Sequence, residues 1–140
     1  MSFFLSCMLW LGNRSLAFIE DAVTNNKLPF FAYLGPHAPH YSADSPPWAR
    51  EDFSDLQAPR TPAFNASEGQ EHKTRHIQQN PPLDNEAAHW IDAHFRDRWR
   101  AIRGVDDMIG LVLDRLETLG VLNNTFVFMS SDHGYVRGWE

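Results

Sequence analysis

The chain has 140 residues, a formal net charge of −6 and a single cysteine. This length allows one buried core, the acidic balance argues against a nucleic-acid-binding function, and one cysteine excludes an internal disulfide framework. Hydrophobic residues make up 43% of the chain and include 5 Trp and 10 Phe. The hydrophobic content is that of a globular protein, and the many aromatic residues predict apolar faces that pack against parts of the domain outside this segment.

The N-terminal stretch 1–12 is apolar but too short to span a bilayer, so no membrane span is predicted. It has no positive residue before the apolar run and no clear small-residue cleavage site, so it is not a convincing signal peptide. The alternatives are the core of a secretory signal, a spurious start and a truncated upstream strand. Stretch 1–12 is therefore predicted to be separate from the domain formed by 13–140.

A helix followed by a strand is predicted next. Residues 14–25 have apolar side chains at helical spacing, and the apolar run 28–34 is typical of a short buried strand. The strand is followed at once by Gly35-Pro36-His37-Ala38-Pro39-His40. His37 and His40 lie either in a ligand-binding loop or in a proline-rich surface loop.

Residues 41–80 are rich in proline, polar and charged residues and predict a long irregular segment. It contains a basic cluster formed by His72, Lys73, Arg75 and His76. This cluster could contact an anionic sugar sulfate. A solvated loop with mobile basic residues is the favoured interpretation.

A long helix is predicted before the second strand. Asp84 or Asn85 could cap its start, and Gly120 could cap its end. Apolar residues recur in steps of three or four and form one stripe, which consists of Phe95, Trp99, Ile102, Val105, Ile109, Val112, Leu116 and Leu119. A later start or a kink near Gly104 is the alternative to one unusually long helix. The adjacent carboxylates 106 and 107 point about 100° apart on a helix, so a structural role is favoured over joint catalysis.

The second apolar run, 126–129, also predicts a strand and leads into Ser131-Asp132-His133-Gly134. A carboxylate and an imidazole can bind one metal ion where a strand gives way to a loop, although Asp and Gly are also ordinary turn residues. Helices alternating with strands predict an α/β fold. If the strands are parallel neighbours joined by a right-handed crossover, His40 and Asp132 open to the same sheet edge.

Five short strings, in this order, resemble the sulfatases of the alkaline-phosphatase-like superfamily. They are Pro29-Phe30-Phe31, Ala38-Pro39-His40, Val105-Asp106-Asp107, Leu122-Asn123-Asn124-Thr125 and Ser131-Asp132-His133-Gly134-Tyr135. Two strings, Phe95-Arg96-Asp97-Arg98-Trp99 and Leu122-Asn123-Asn124-Thr125, look most similar to the N-acetylglucosamine-6-sulfatase and arylsulfatase branch. The resemblance implies that 13–140 is a partial catalytic domain of this superfamily, with a mostly parallel sheet flanked by helices.

The resemblance also implies roles for individual residues. His40 matches a histidine that binds the substrate sulfate and assists catalysis, and His37 lies where some members have another polar group. Asp132 and His133 match ligands of a divalent cation, usually calcium. Such groups stabilise the charge that grows on a sulfate ester in the transition state.

The departures from the family pattern are equally specific. Family members use a cysteine, converted to formylglycine within Cys-x-Pro/Ser-x-Arg, as the nucleophile, but Cys7 is followed by Met-Leu-Trp-Leu. The formylglycine motif, the paired N-terminal aspartates of the metal site and a sulfate-binding lysine are all missing. We therefore expect a segment of a sulfuric ester hydrolase that is inactive alone.

The alternatives are a metal-dependent phosphatase or phosphodiesterase relative and a non-catalytic binding module or pseudogene product. The implied substrate is a sulfate-ester small molecule or a sulfated glycan. Three N-glycosylation motifs, at Asn13, Asn65 and Asn123, predict a secreted or lysosomal location for the complete protein.

Overall fold

The computed structural model describes residues 3–40, 45–66 and 68–131. These residues contain three α-helices: α1 spans Phe3–Asp21, α2 is the single turn Arg75–Gln78, and α3 spans Asn85–Thr118. A π-helical turn, Ala22–Asn26, extends α1, and short 3₁₀ turns occupy Pro47–Ala49, Gln70–His72 and Leu122–Asn124. The predicted helix over 14–25 thus forms the end of a longer one, and the boundary predicted at residue 12 falls inside α1. No helix in the described part of the chain is long and apolar enough to cross a membrane.

The helix α3 is continuous over 34 residues, from Asn85 to Thr118, so the unusually long helix forms and does not start later. Its start is capped by Asp84, whose Oδ1 accepts a hydrogen bond from the Ala87 N–H at 2.8 Å. At its end Gly120 adopts a φ of 71°, and its N–H donates to the Glu117 carbonyl at 2.8 Å. The Val121 N–H donates to the Leu116 carbonyl at 3.0 Å, which completes a Schellman motif.

The buried face of α3 differs from the predicted apolar stripe. Trp99 and Ile102 belong to that stripe but are exposed, whereas Ala101 and Met108, outside it, are buried. Leu116 is the member that fits the prediction best, with 2% of its surface exposed. Burial on a helix is decided by what the neighbouring segments present, and hydrophobic periodicity alone does not contain that information.

Neither predicted strand forms a hydrogen-bonded ladder within the described residues. Residues 30–36 do alternate between half-buried and exposed, the period of an extended chain. Their outward side chains are almost fully exposed, with 86% of Phe31 accessible, and Phe126 in the second segment is 89% exposed. A strand requires a paired neighbour, so the parallel sheet remains a prediction.

The chain divides into two compact units. The first comprises Met1–Ser54 and Asp97–Phe128, and the second comprises Asp55–Arg96 and Met129–Glu140. In the first unit α1 packs on α3: Met108 Cγ lies 3.4 Å from the position that a Cβ on Gly12 would occupy. Arg115 Nη1 also forms an ion pair with Glu20 Oε2 at 3.1 Å.

In the second unit a buried carboxylate organises the core. Asp92, 8% exposed, accepts hydrogen bonds from the Ala58 N–H at 3.0 Å and from Arg60 Nη2 at 2.8 Å to each of its oxygens. Burial raises the pKa of Asp92, but the hydrogen bonds from Ala58 and Arg60 and the charges of Arg60 and Arg96 outweigh it. The pKa of Asp92 therefore lies below its ordinary value.

Candidate functional site

The histidine turn, residues 37–40, is the part of the predicted site that the structure describes. The His40 N–H donates to the His37 carbonyl at 3.0 Å and closes the turn, within which the Ala38–Pro39 peptide bond is cis. The two imidazole rings lie with centroids 4.9 Å apart and planes inclined by 58°. Both side chains are exposed, while Ala38 and Pro39 are half-buried. The turn therefore places two imidazole rings side by side.

The chain entering this turn is attached to α1. Lys27 adopts a φ of 52°, which ends the π-helical turn and redirects the chain, and the Leu28 N–H donates to the Ala22 carbonyl at 3.4 Å. Phe30 then packs edge-on against Phe18, with ring centroids 6.3 Å apart. An aromatic contact of this kind stabilises by about 1 kcal/mol beyond its buried area.

The predicted metal ligands Asp132 and His133 lie outside the described residues, so their distance from His40 stays a prediction. Residues 125–131 precede them and have no regular secondary structure. Among the described residues there is no group of three or more His, Cys, Asp or Glu side chains that could hold a metal ion.

The adjacent carboxylates on α3 share an ion-pair partner, Arg103, and Asp107 has one further contact. Asp106 pairs with Arg103 at 3.4 Å. Asp107 also pairs with Arg103 at 3.4 Å, and in addition its Oδ2 accepts a hydrogen bond from the Trp48 indole N–H at 2.9 Å. These contacts explain both carboxylates without a catalytic role.

Comparison with known proteins decides the family. The sulfatase family model matches residues 11–138. This chain belongs to the sulfatase family.

The chain is similar to the N-acetylglucosamine-6-sulfatases of Capra hircus and Homo sapiens, at 35% identity over 128 residues in each case. The alignments cover 91% of this chain and 22% and 23% of those relatives. It is also 34% identical over 137 residues to the sulfatase ppz1 of Metarhizium majus, covering 91% of this chain and 32% of that protein. The chain thus spans between a fifth and a third of the length of these relatives. No solved structure matches it significantly.

The family match covers the histidine turn, and it extends past Asp132 and His133. The sequence resemblance to the sulfatases is therefore confirmed. The roles of His37, His40, Asp132 and His133 remain predictions, because the match identifies the family and not the ligands.

The three N-glycosylation motifs of this sulfatase segment differ in their surroundings. Asn13 is exposed on α1, and Asn123 is exposed in the 3₁₀ turn after α3. Asn65 instead bridges to Leu83: its Nδ2 donates to the Leu83 carbonyl at 3.0 Å, and its Oδ1 accepts from the Leu83 N–H at 2.6 Å. It also has a φ of 54°. The Asn65 amide, which would carry the glycan, is engaged in holding two loops together.

Sequence reasoning missed the residues that fix the irregular segments. Trp48 and Asp107 are separated by 59 positions, and Arg60 and Asp92 by 32. No local motif relates such pairs. A weak local signal exists: Trp48 and Arg60, whose side chains donate directional hydrogen bonds, both occur in proline-rich stretches.

Proposed function

We propose that the protein containing this segment hydrolyses sulfate esters and that its substrates are sulfated sugars. The family match over residues 11–138 carries the first statement. The second is supported by similarity to two N-acetylglucosamine-6-sulfatases over 91% of this chain.

In this proposal His40 donates a hydrogen bond to an oxygen of the substrate sulfate, and His37 assists it. The 4.9 Å separation of their ring centroids is one that a single tetrahedral anion can bridge. A donor of this kind stabilises the transition state when it meets the oxygen on which negative charge increases. The exposed position of both rings leaves them accessible to a large substrate such as a glycan.

Asp132 and His133 are proposed as ligands of a divalent cation, with calcium as the expected ion. A carboxylate suits calcium, but this ion takes six to eight donors, so these two residues would supply only part of the coordination. When bound, the cation would withdraw charge from the sulfate oxygens. The part of the chain that the structure describes offers no further three-residue cluster to complete such a site.

The segment alone is proposed to be inactive, because its single cysteine, Cys7, lacks the sequence context for conversion to formylglycine. Without a covalent nucleophile the rate of ester hydrolysis falls by many orders of magnitude. A purified 140-residue chain that hydrolyses an aryl sulfate, and loses this activity in Cys7→Ala, would contradict the proposal.

A secreted or lysosomal location is proposed for the complete protein, with glycans on the exposed Asn13 and Asn123. Because the Asn65 side chain is hydrogen-bonded to Leu83, we expect this third motif to carry a glycan less often than the other two. Glycopeptide mass spectrometry of protein from a secreting cell measures the occupancy of all three positions.

The decisive experiment compares an aryl sulfate with the matching aryl phosphate as substrates of the full-length protein that contains this segment. We expect the sulfate to be preferred and His40→Ala to lower kcat/KM by about a hundredfold without loss of bound metal. His76→Ala, which removes an exposed histidine in the basic cluster, serves as the matched control and is expected to be neutral. Preference for the phosphate would favour a phosphatase relative and reject the proposed reaction.

The ligand assignment is tested separately, by metal content. Asp132→Ala should lower bound metal strongly, whereas Asp106→Ala should not, because Asp106 pairs with Arg103 on α3. His133→Asn should have a mild effect, since asparagine retains a carbonyl oxygen for a hard cation. Equal metal loss in Asp132→Ala and Asp106→Ala would reject the assignment.

A further inference from the structure

Asn65 has two structural roles that do not depend on a glycan. Its backbone has a φ of 54°, in the left-handed region, which asparagine adopts more readily than most residues with a side chain. Its half-buried side chain forms both hydrogen bonds of the Asn65–Leu83 bridge, at 3.0 Å and 2.6 Å. Leu83 directly precedes Asp84, the residue that caps α3. The bridge therefore fastens the turn that contains Asn65 to the start of the long helix.

The turn that precedes Asn65 is attached to α3 by contacts of its own. The Phe64 N–H donates to the Thr61 carbonyl at 2.9 Å. The Arg60 Cζ lies 4.2 Å from the centroid of the Phe64 ring, and Arg60 also binds Asp92 on α3. None of these contacts uses the Asn65 side chain. Loss of the bridge is therefore expected to act locally and to leave the Asp92 cluster intact.

The bridge uses one particular hydrogen of the Asn65 amide. A primary amide has one N–H on the same side as its oxygen and one on the opposite side. Because Oδ1 and Nδ2 bind the N–H and the carbonyl of one residue, Leu83, the bridging hydrogen is the one on the oxygen's side.

An N-linked glycan competes for that position. Glycosylation converts the amide to a secondary amide, which favours the trans form by about a hundredfold over the cis form. In the trans form the substituent lies on the same side as the oxygen, and the remaining N–H points away from it. The first sugar therefore takes the place of the hydrogen that Asn65 donates to the Leu83 carbonyl.

We propose that a glycan on Asn65 and the Asn65–Leu83 bridge exclude each other, so that modification of Asn65 releases Leu83 from this turn. The inference rests on the secreted or lysosomal location proposed above, since N-glycans are typical of proteins in that pathway. In the transfer, Nδ2 forms a bond to the anomeric carbon of a sugar pyrophosphate donor. The bond from that carbon to the pyrophosphate oxygen breaks, and Nδ2 releases one proton.

Asn13 and Asn123 provide the comparison within the same chain. Asn13 is exposed on α1, and Asn123 is exposed in the 3₁₀ turn after α3. A glycan on either residue can extend into solvent without displacing the Leu83 carbonyl. We therefore expect a local structural change from a glycan on Asn65 and none from a glycan on Asn123.

The experiment secretes the full-length protein that contains this segment and measures two quantities. Glycopeptide mass spectrometry gives the occupancy of each motif, and hydrogen–deuterium exchange follows the Leu83 N–H. Ser67→Ala removes the motif, keeps Asn65 and serves as the bridged reference. Protein that carries a glycan on Asn65 should exchange the Leu83 N–H about fivefold faster than Ser67→Ala. The Ala58 N–H, which binds Asp92, should exchange equally in both.

Two further variants separate the bridge from other causes. Asn123→Gln removes an exposed glycan and is the matched control, so exchange of the Leu83 N–H should not change. If the wild type carries no glycan on Asn65, Leu83→Pro decides, because proline has no N–H to donate to Asn65 Oδ1. In Leu83→Pro the occupancy of Asn65 should rise to that of Asn123.

Two results would overturn the proposal. One is protein with a glycan on Asn65 that exchanges the Leu83 N–H as slowly as Ser67→Ala does. The other is an Asn65 that stays unmodified in Leu83→Pro while Asn123 carries its glycan.

Absence of glycans from all three motifs would count against the proposed location, and the exclusion would then be judged in Asn65→Asp. This variant keeps an acceptor oxygen but, like the glycosylated amide, has no N–H for the Leu83 carbonyl. Faster exchange of the Leu83 N–H supports the proposal, and unchanged exchange overturns it. The same variant decides if Leu83→Pro is not secreted.

Discussion

Residues 46–53 of the first unit and residues 56–60 of the second both pack on α3, but different interactions hold them. The first segment uses packing of Pro46 on Gly104 and hydrogen bonds to partly exposed side chains. The second converges on one buried carboxylate, Asp92, which accepts from Ala58 and Arg60. In the first segment one contact can be lost while the others remain. In the second, loss of Asp92 removes the hydrogen bonds of Ala58 and Arg60 together.

The largest expected effect comes from Asp92→Ala. It leaves the buried Ala58 N–H without its acceptor and Arg60 without its carboxylate, so the free energy of unfolding should fall by about 3 kcal/mol. Urea denaturation measures this change. Asp114→Ala removes an exposed carboxylate from the same helix and should change stability by less than about 0.5 kcal/mol. Similar losses in the two variants would show that Asp92 does not organise its unit.

The second effect tests packing at Gly104. Gly104→Leu forces Pro46 away from α3 and should lower stability by about 2 kcal/mol. Gly110 is the matched control, because no atom of the described residues lies within 4 Å of a Cβ built there. Gly110→Ala should stabilise the helix by about 1 kcal/mol, and Gly104→Ala should gain less. Equal gains from the two alanine substitutions would mean that Pro46 moves aside freely.

The third, smaller effect is a dependence of the free energy of unfolding on pH, which we expect to come from Asp92. The pKa of Asp92 is lowered in the folded protein, so its contribution is fully present above its unfolded pKa, about 3.9, and is lost as the pH falls through the folded pKa. The stability of the wild-type chain should therefore fall more steeply than that of Asp92→Asn below about pH 4. Denaturation curves collected at several acidic pH values give the stability of each protein as a function of pH. If the stability of wild type and of Asp92→Asn fell equally with pH, Asp92 would not be the cause.

The smallest effect is expected at Arg103. It pairs with Asp106 and Asp107 at 3.4 Å while 44% of its side chain remains exposed. Arg103→Gln should change stability by at most about 0.5 kcal/mol, and the change should disappear at high salt. A loss as large as that of Gly104→Leu would reveal a role for Arg103 in holding Trp48 through Asp107.

Local sequence signals predicted what depends on neighbours along the chain. The start of α3 at Asp84, its end at Gly120 and the closeness of His37 and His40 follow from side chains a few positions apart. The continuity of α3 through Gly104 was not predictable, because this glycine makes room for Pro46, 58 positions earlier. The buried face of α3 was mispredicted for a similar reason. The sheet and the metal ligands remain predictions, since pairing and coordination depend on groups distant in sequence.

The bridge between Asn65 and Leu83 has a consequence for variation in this family. Its two hydrogen bonds join residues 18 positions apart and hold together the ends of the stretch that contains α2 and the basic cluster. When the ends of a loop are held, doubling its length adds only about 0.6 kcal/mol of closure entropy. Insertions, deletions and altered charge between Asn65 and Leu83 can therefore accumulate while the helix that follows keeps its starting point. Relatives of this chain are expected to diverge there first, which makes this stretch the natural place to graft a peptide tag.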